Sequence, residues 1–172
     1  MVEPIPFDAT TNPVITTAQY NKLLAQLETT ASYIVRKNGA YYEALKGGTS
    51  TNALNVIYGG SGNLGATDGT DAAAVIQACL DDDPKIFLKD ATYPIENALI
   101  PPSDTVMTGE SWDTILKLPD GQTVAAATGN VIYNSGDVSN ITIENLQIDG
   151  NKDNNAGLTA AHTGSNIYSV LV

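Results

Sequence analysis

Three carboxylates follow one another closely toward the end of the chain, at Glu144, Asp149 and Asp153. Hydrolysis of a glycosidic bond needs two facing carboxyl groups, one as acid and the other as base or nucleophile. These three side chains are candidates only because they fall on consecutive predicted strands and turns. No facing pair is assembled in the sequence, so we assign no catalytic residue and leave enzymatic activity open.

A glycine-rich stretch at residues 60–65, GSGNLG, matches the pattern of a dinucleotide-binding loop and follows a predicted strand. In such loops the helix begins among the glycines, so that its amino-terminal amides meet the pyrophosphate. Here residues 66–70 intervene, and Asp68 and Asp71 place negative charge where phosphate would lie. The sequence therefore predicts a structural loop.

Two acidic stretches were considered as metal sites. Asp81, Asp82 and Asp83 are adjacent, so their side chains point in different directions and lack the spacing of calcium ligands. The stretch at 149–155, DGNKDNN, lacks the glutamate that completes a hand-type calcium loop. Structural turns are the favoured interpretation, and we predict no metal and no cofactor.

Two further reactive residues stand alone. The single cysteine, Cys79, falls within an apolar run and is predicted to be a small buried side chain. His162 has no Ser or Cys nucleophile at a useful spacing and no second histidine at the spacing of metal ligands, so we predict an ordinary surface or core histidine.

The elements that would position these residues are short. Asp71 is a predicted N-cap for an alanine-rich helix over residues 72–80. Strand-sized apolar segments are separated by Asp, Gly, Pro or Asn, and the asparagines are predicted to form corners. The predicted strands are residues 54–58, 86–89, 98–100, 105–108, 114–118, 131–133, 138–143 and 146–148.

The first fifty residues have a different character. A proline-rich arm precedes an amphipathic helix whose stripe is formed by Tyr20, Leu24, Leu27 and Ala31. This stripe either packs on its own domain or mediates self-association. A hairpin follows with Asn38-Gly39 as a predicted type I′ turn. We therefore predict an attachment or oligomerisation module at 1–50 and the opening of a longer repetitive β-domain at 51–172.

The composition and charge of the chain disfavour some classes of binding partner. The chain has 172 residues and a net charge of −11, which repels phosphate backbones and disfavours nucleic-acid binding. Charged residues are only 16 %, which suits turn-rich β-structure. We expect no membrane insertion, since no 18-residue apolar stretch occurs, and the amino terminus lacks the pattern of a signal peptide.

A series of short motifs carries a family resemblance. In chain order they are GATDGTD, IQA within the helix, YPI, IPPS, TGES and TILKL, between Gly65 and Leu118. This order resembles the opening of pectate-lyase-like right-handed β-helices, as found in phage and archaeal-virus tailspikes. The resemblance implies an all-β fold: a single-stranded right-handed parallel β-helix with a short capping helix, preceded by an N-terminal helix and a β-hairpin.

The resemblance also implies a function. It suggests a virion or extracellular tailspike or tail-fibre protein, a homotrimer that contacts other tail or baseplate proteins and a cell-surface polysaccharide. The alternatives are a secreted polysaccharide lyase or glycoside hydrolase, and a non-catalytic adhesin. Lyases of similar fold generally use a basic residue together with calcium. Arg36 falls in the hairpin, outside the predicted β-helix, so Lys117 and Lys152 are the basic residues left as candidates for this role.

Aromatic side chains are candidates for contact with a sugar. Tyr41 and Tyr42 are the ones we assign, with cross-strand packing as the alternative.

Overall fold

A computed structural model of the protein describes residues 31–46, 55–121, 130–133 and 136–155. Strands make up most of the secondary structure in these residues, together with one short α-helix. The elements in chain order are β1 (Tyr33–Asn38), β2 (Tyr41–Lys46), β3 (Asn55–Gly59), α1 (Ala72–Asp82), β4 (Lys85–Leu88), β5 (Ala91–Pro94), β6 (Val106–Gly109), β7 (Thr114–Lys117), β8 (Thr142–Glu144), β9 (Gln147–Asp149) and a 3₁₀ turn (Lys152–Asn154).

The strands after α1 alternate between two sheets. One sheet has the order β3-β2-β1-β4-β6-β8, and the other has the order β5-β7-β9. Every pairing among β4, β6 and β8, and among β5, β7 and β9, is parallel. A parallel bridge between Leu99 and Ile132 adds a third line of contact. Each pass of the chain therefore lies on the pass before it.

The core consists of side chains stacked in columns between the sheets. Parallel pairing in register places equivalent residues of successive strands above one another. Because side chains alternate between the two faces of a strand, every second residue points into the core. The two columns are Tyr33, Ile86, Met107 and Ile143 in the larger sheet, and Tyr93, Leu116 and Ile148 in the smaller one. Most of these side chains are fully buried, whereas Ile143 and Ile148 on the last two strands are only half-buried.

The predicted hairpin is confirmed, but its turn type was wrong. Asn38 remains in β1 and pairs with Tyr41, so the loop consists of Gly39 and Ala40. Of these two, only Gly39 has a positive φ, of 62°. A type I′ turn needs positive φ at both central residues, so this loop fits the type II′ pattern, with glycine first.

The hairpin belongs to the larger sheet. Strand β1 pairs in parallel with β4, and β3 pairs antiparallel with β2. Strands β1, β2 and β3 thereby extend the larger sheet beyond β4. The predicted domain boundary near residue 50 lies outside the described residues and stays a prediction.

The predicted cap of α1 is confirmed. The Asp71 side chain accepts a hydrogen bond from the Ala74 N–H at 3.0 Å, as an N-cap residue does. The helix continues two residues beyond its predicted end and stops at Asp82, one residue before Asp83-Pro84. Its buried side chains, among them Val75, Ile76 and Leu80, pack into the same core as the strands.

Asparagines occupy the predicted corners. Asn140, Asn145 and Asn151 all have left-handed backbone, with φ between 49° and 59°. Asn tolerates this conformation better than most residues, so the corner interpretation is confirmed for these three.

The last residue of β6 must be a glycine for lack of space. A Cβ built on Gly109 would lie 2.2 Å from the carbonyl oxygen of Asn145 in the next pass of the chain. At this position the main chains of two successive passes lie so close together that no side chain fits between them.

Some predicted strands differ from those observed. Residues 98–100 and 131–133 contribute the Leu99–Ile132 bridge instead of full strands. The pattern at 138–143 predicted a longer strand, whereas β8 covers Thr142–Glu144. Strand β5 was not predicted, because Asp90 and Pro94 at its ends read as turn residues.

Candidate functional site

The corner between β6 and β7, residues 110–113, is built on the corner of the preceding pass. The Asp90 carboxylate accepts hydrogen bonds from the hydroxyls of Ser111 and Thr114, both at 2.9 Å. The Glu110 carboxylate accepts one from the Asp90 N–H at 3.0 Å and pairs with the Lys89 ammonium. We call residues 110–113 the β6–β7 corner.

The following pass also holds this corner. The side-chain amide of Gln147 donates a hydrogen bond to the main-chain carbonyl of Trp112. Within the corner, the Ser111 hydroxyl accepts one from the Asp113 N–H at 3.0 Å. The main chain around Trp112 is therefore fixed from both sides.

The indole of Trp112 extends from this corner into solvent. The residue is 70 % exposed, the highest value among the large exposed hydrophobic residues of the described chain. It is also the single tryptophan of the protein. Trp112 was not among the predicted site residues, although a lone tryptophan within the polar turn GESWD was a usable signal.

The two stacked corners that carry the indole are polar and mainly acidic. Asp90, Glu110 and Asp113 are exposed, and Lys89 is the basic residue among them. The corner thus combines one flat apolar ring with hydrogen-bonding groups and a negative local charge.

The structure does not bring the three predicted carboxylates together as a facing pair. Glu144 lies on β8 in the larger sheet and accepts a hydrogen bond from the Thr108 hydroxyl at 3.2 Å. Asp149 lies on β9 in the smaller sheet, 3.3 Å from the Lys117 ammonium. Asp153 is an exposed residue of the 3₁₀ turn. The carboxylates have separate partners, which suits structural roles.

Two of the three candidate basic residues also have partners. The Arg36 guanidinium lies 2.6 Å from the buried carboxylate of Glu43, which also accepts a hydrogen bond from Asn38 at 3.2 Å. Lys117 pairs with Asp149, and the side chain of Lys152 lies outside the described residues. Arg36 is therefore held within the hairpin, as its position in the sequence predicted.

The two assigned tyrosines differ in access. Tyr42 is buried, its ring centroid 5.7 Å from that of Tyr93, and this packing removes it from contact with a sugar. Tyr41 is half-buried on the same strand, so sugar contact by Tyr41 stays a prediction. Tyr42 thus packs between the two sheets, whereas the alternative interpretation was packing across neighbouring strands.

The glycine-rich loop forms a turn ahead of α1. Gly60 and Gly65 have positive φ, and α1 begins only at Ala72, with the Asp71 carboxylate capping its first turn. An acidic side chain thus occupies the helix amino terminus that a phosphate would need.

The acidic stretches have internal partners. Asp82 accepts hydrogen bonds from Tyr33 and Lys46, and Asp81 accepts one from Gln77. The buried Asn151 amide donates to the Leu118 carbonyl at 2.9 Å and thereby stabilises the turn at 149–155. Within the residues that the structure describes, no group of three or more candidate metal ligands occurs.

Cys79 is buried, and its thiol donates a hydrogen bond to the Val75 carbonyl. Burial raises the pKa of this thiol well above its ordinary value, so the reactive thiolate is disfavoured. His162 lies outside the described residues.

The predicted self-association stripe is almost wholly outside the described residues. Tyr20, Leu24 and Leu27 fall there, and Ala31 is half-buried just before β1. The choice between self-association and packing on the domain stays open.

Comparisons with known proteins identify no relative: no family model, no curated protein and no solved structure matches the chain. No helix in the described part is long and apolar enough to cross a membrane.

Proposed function

We propose that the strands of the described part form a right-handed parallel β-helix of the pectate-lyase-like type. The support is the alternation of β4 to β9 between two parallel ladders. Connections between parallel strands of one sheet are right-handed in nearly all proteins, which favours this handedness. Helix α1 packs against the first strands and acts as the end cap that a stack of strands needs.

The function that we propose is that of a viral tailspike or tail-fibre protein. In this proposal the module at residues 1–50 attaches to the particle and the β-helix contacts a surface glycan of the host. The observation that carries it is the β6–β7 corner, where the rigidly held Trp112 extends into solvent beside polar groups. Such an aromatic ring suits contact with a carbohydrate, and a net charge of −11 disfavours a nucleic-acid partner.

The second candidate is a secreted polysaccharide lyase or glycoside hydrolase. The resemblance to polysaccharide-degrading β-helices favours it, and residues outside the described part leave room for a catalytic site. Against it, Glu144 and Asp149 lie in different sheets and each has a partner of its own. A non-catalytic adhesin shares the glycan contact and differs from the spike in its assembly.

Affinity electrophoresis of the full chain through gels containing different polysaccharides tests this function, together with an assay for new reducing ends or unsaturated products. We expect retardation by at least one polysaccharide and no cleavage. No retardation by any polysaccharide would contradict the glycan contact. Turnover that Glu144→Gln or Asp149→Asn abolishes would favour the enzyme.

A further inference from the structure

We propose that the β6–β7 corner is a binding site for a neutral oligosaccharide, with one sugar ring stacked on the indole of Trp112. The inference rests on the proposed glycan contact for the class of ligand. The position of the site follows from the corner itself.

Rigidity distinguishes Trp112 from an ordinary exposed side chain. Isolated apolar residues are common on protein surfaces and need no explanation. Here, however, the Trp112 carbonyl is bound by Gln147, while Ser111 and Thr114 are both bound to Asp90. A main chain that is already held in place loses less conformational freedom when a ligand binds to the ring that it carries.

The chemistry around the ring fits a sugar better than a protein. Trp112 lies between Ser111 and Asp113 in the chain, and its carbonyl is bound by Gln147, so the ring belongs to a polar corner. The core of a protein interface is instead a contiguous apolar patch. A pyranose has an apolar C–H face for the indole and hydroxyls at its rim. Asp113 and the half-exposed pair of Lys89 and Glu110 supply acceptors and donors for those hydroxyls.

The charge of the corner selects the class of sugar. Asp90, Glu110 and Asp113 carry three negative charges, against the single positive charge of Lys89. The whole chain is also acidic, with a net charge of −11. Both repel uronic and other anionic sugars at moderate salt, so we expect a neutral ligand.

The single tryptophan provides a direct readout, because all indole fluorescence of the protein comes from this corner. The full chain is titrated with cellohexaose, maltohexaose and mannohexaose as neutral probes, and with an oligogalacturonate as the anionic probe. We expect at least one neutral probe to shift the emission to shorter wavelength in a saturable manner. The oligogalacturonate should produce a smaller change or none.

Calorimetry of variants shows whether the ring itself contributes. Trp112→Ala should weaken binding of the active probe about tenfold or more, and Trp112→Phe should retain part of the affinity. Tyr133→Ala, which removes another exposed aromatic ring, is the matched control and should bind normally. Thermal unfolding should be unchanged in all three variants, since both rings are exposed.

Three results would overturn the site: no emission change with any neutral probe, equal binding by Trp112→Ala, or tighter binding of the anionic probe. The proposed function can be judged separately. Retardation of the chain in a polysaccharide gel with unchanged fluorescence would place glycan contact elsewhere on the protein, while the corner would lose its role.

Discussion

The side-chain amide of Gln77 forms two hydrogen bonds with the main chain of Ile100. Its oxygen accepts from the Ile100 N–H at 2.8 Å, and its nitrogen donates to the Ile100 carbonyl at 3.1 Å. The neighbouring Leu99 uses its own N–H and carbonyl to bind the following pass at Val131 and Tyr133. The Gln77 side chain therefore satisfies the main-chain N–H and carbonyl of Ile100 as a neighbouring strand would. Helix α1 thus covers the core and also pairs with exposed main-chain groups at the edge of the strands.

Replacement of Gln77 by methionine tests this edge contact. Gln77→Met retains most of the side-chain volume and removes both hydrogen bonds, so we expect the free energy of unfolding to fall by about 1–2 kcal/mol. Urea denaturation followed by circular dichroism measures it. Asp81→Ala is the control because it removes a partner of Gln77 but leaves the Ile100 pairing. Equal stability of Gln77→Met and the wild type would show that the edge contact contributes nothing.

The packing of α1 against the strands is tested at Ile76, which is fully buried. Ile76→Asp places an unpaired charge in the core and should cost on the order of 3 kcal/mol or more. The same substitution at the half-buried Ala74 of this helix is the control and should cost much less. Wild-type thermal stability of Ile76→Asp would mean that the helix does not cover the core.

The close approach at Gly109 predicts a steric effect. Gly109→Ala would force Asn145 in the next pass to move, so we expect a loss of about 1–3 kcal/mol in chemical denaturation. Gly150→Ala is the matched control, since a Cβ there meets nothing within 4 Å. If both variants unfold at the same denaturant concentration, the passes are not stacked as closely as described.

The contact between α1 and the hairpin predicts a pH dependence. A hydrogen bond from Tyr33, together with the Lys46 ammonium, lowers the pKa of Asp82 from its ordinary value. Asp82 thus stabilises the fold above its unfolded pKa of about 3.9, and this contribution is lost as pH falls through the lower folded value. The difference in unfolding free energy between wild type and Asp82→Asn should therefore be largest near neutral pH and should shrink below about pH 4.

Tyr33→Phe provides the control for this pH effect. It removes the largest cause of the lowered pKa, so in this background the Asp82→Asn substitution should show a weaker pH dependence. A difference that stays constant from pH 7 to pH 2 would show that the charge of Asp82 plays no part.

Local sequence signals predicted α1, the hairpin and most strands of the described part. The Asp71 cap and the asparagine corners depend on side chains that act on their own backbone, so the sequence alone is sufficient. Strand β5 and the type of hairpin turn depend instead on pairing with other strands. Thr92 lies in a strand because it pairs with Ile115 of β7, and the residues next to Thr92 in the sequence do not indicate this pairing.

The candidate site was the least predictable part. Trp112 is a site candidate because residues distant in sequence hold its corner: Asp90 binds the hydroxyls of Ser111 and Thr114, and Gln147 binds the Trp112 carbonyl. The sequence gives no register between successive passes, so it cannot place these residues side by side. The burial of Tyr42 was not predictable for the same reason, since its ring packs on Tyr93 in a different sheet.

Assembly separates a viral spike from a monomeric enzyme more clearly than any other property. Tailspikes of the proposed type are usually homotrimers, and the predicted stripe of Tyr20, Leu24, Leu27 and Ala31 is the surface through which we propose that the chains associate. A short helix is marginal by itself, so contacts along the strands must contribute as well. Leu24→Asp combined with Leu27→Asp should therefore weaken the assembly without unfolding the β-domain.

The decisive measurement is the molar mass of the full chain by light scattering at micromolar concentration. We predict a value three times the 18.0 kDa of one chain, with a shift toward lower mass in the double variant. A mass of one chain across the whole concentration range would contradict the spike and favour the enzyme.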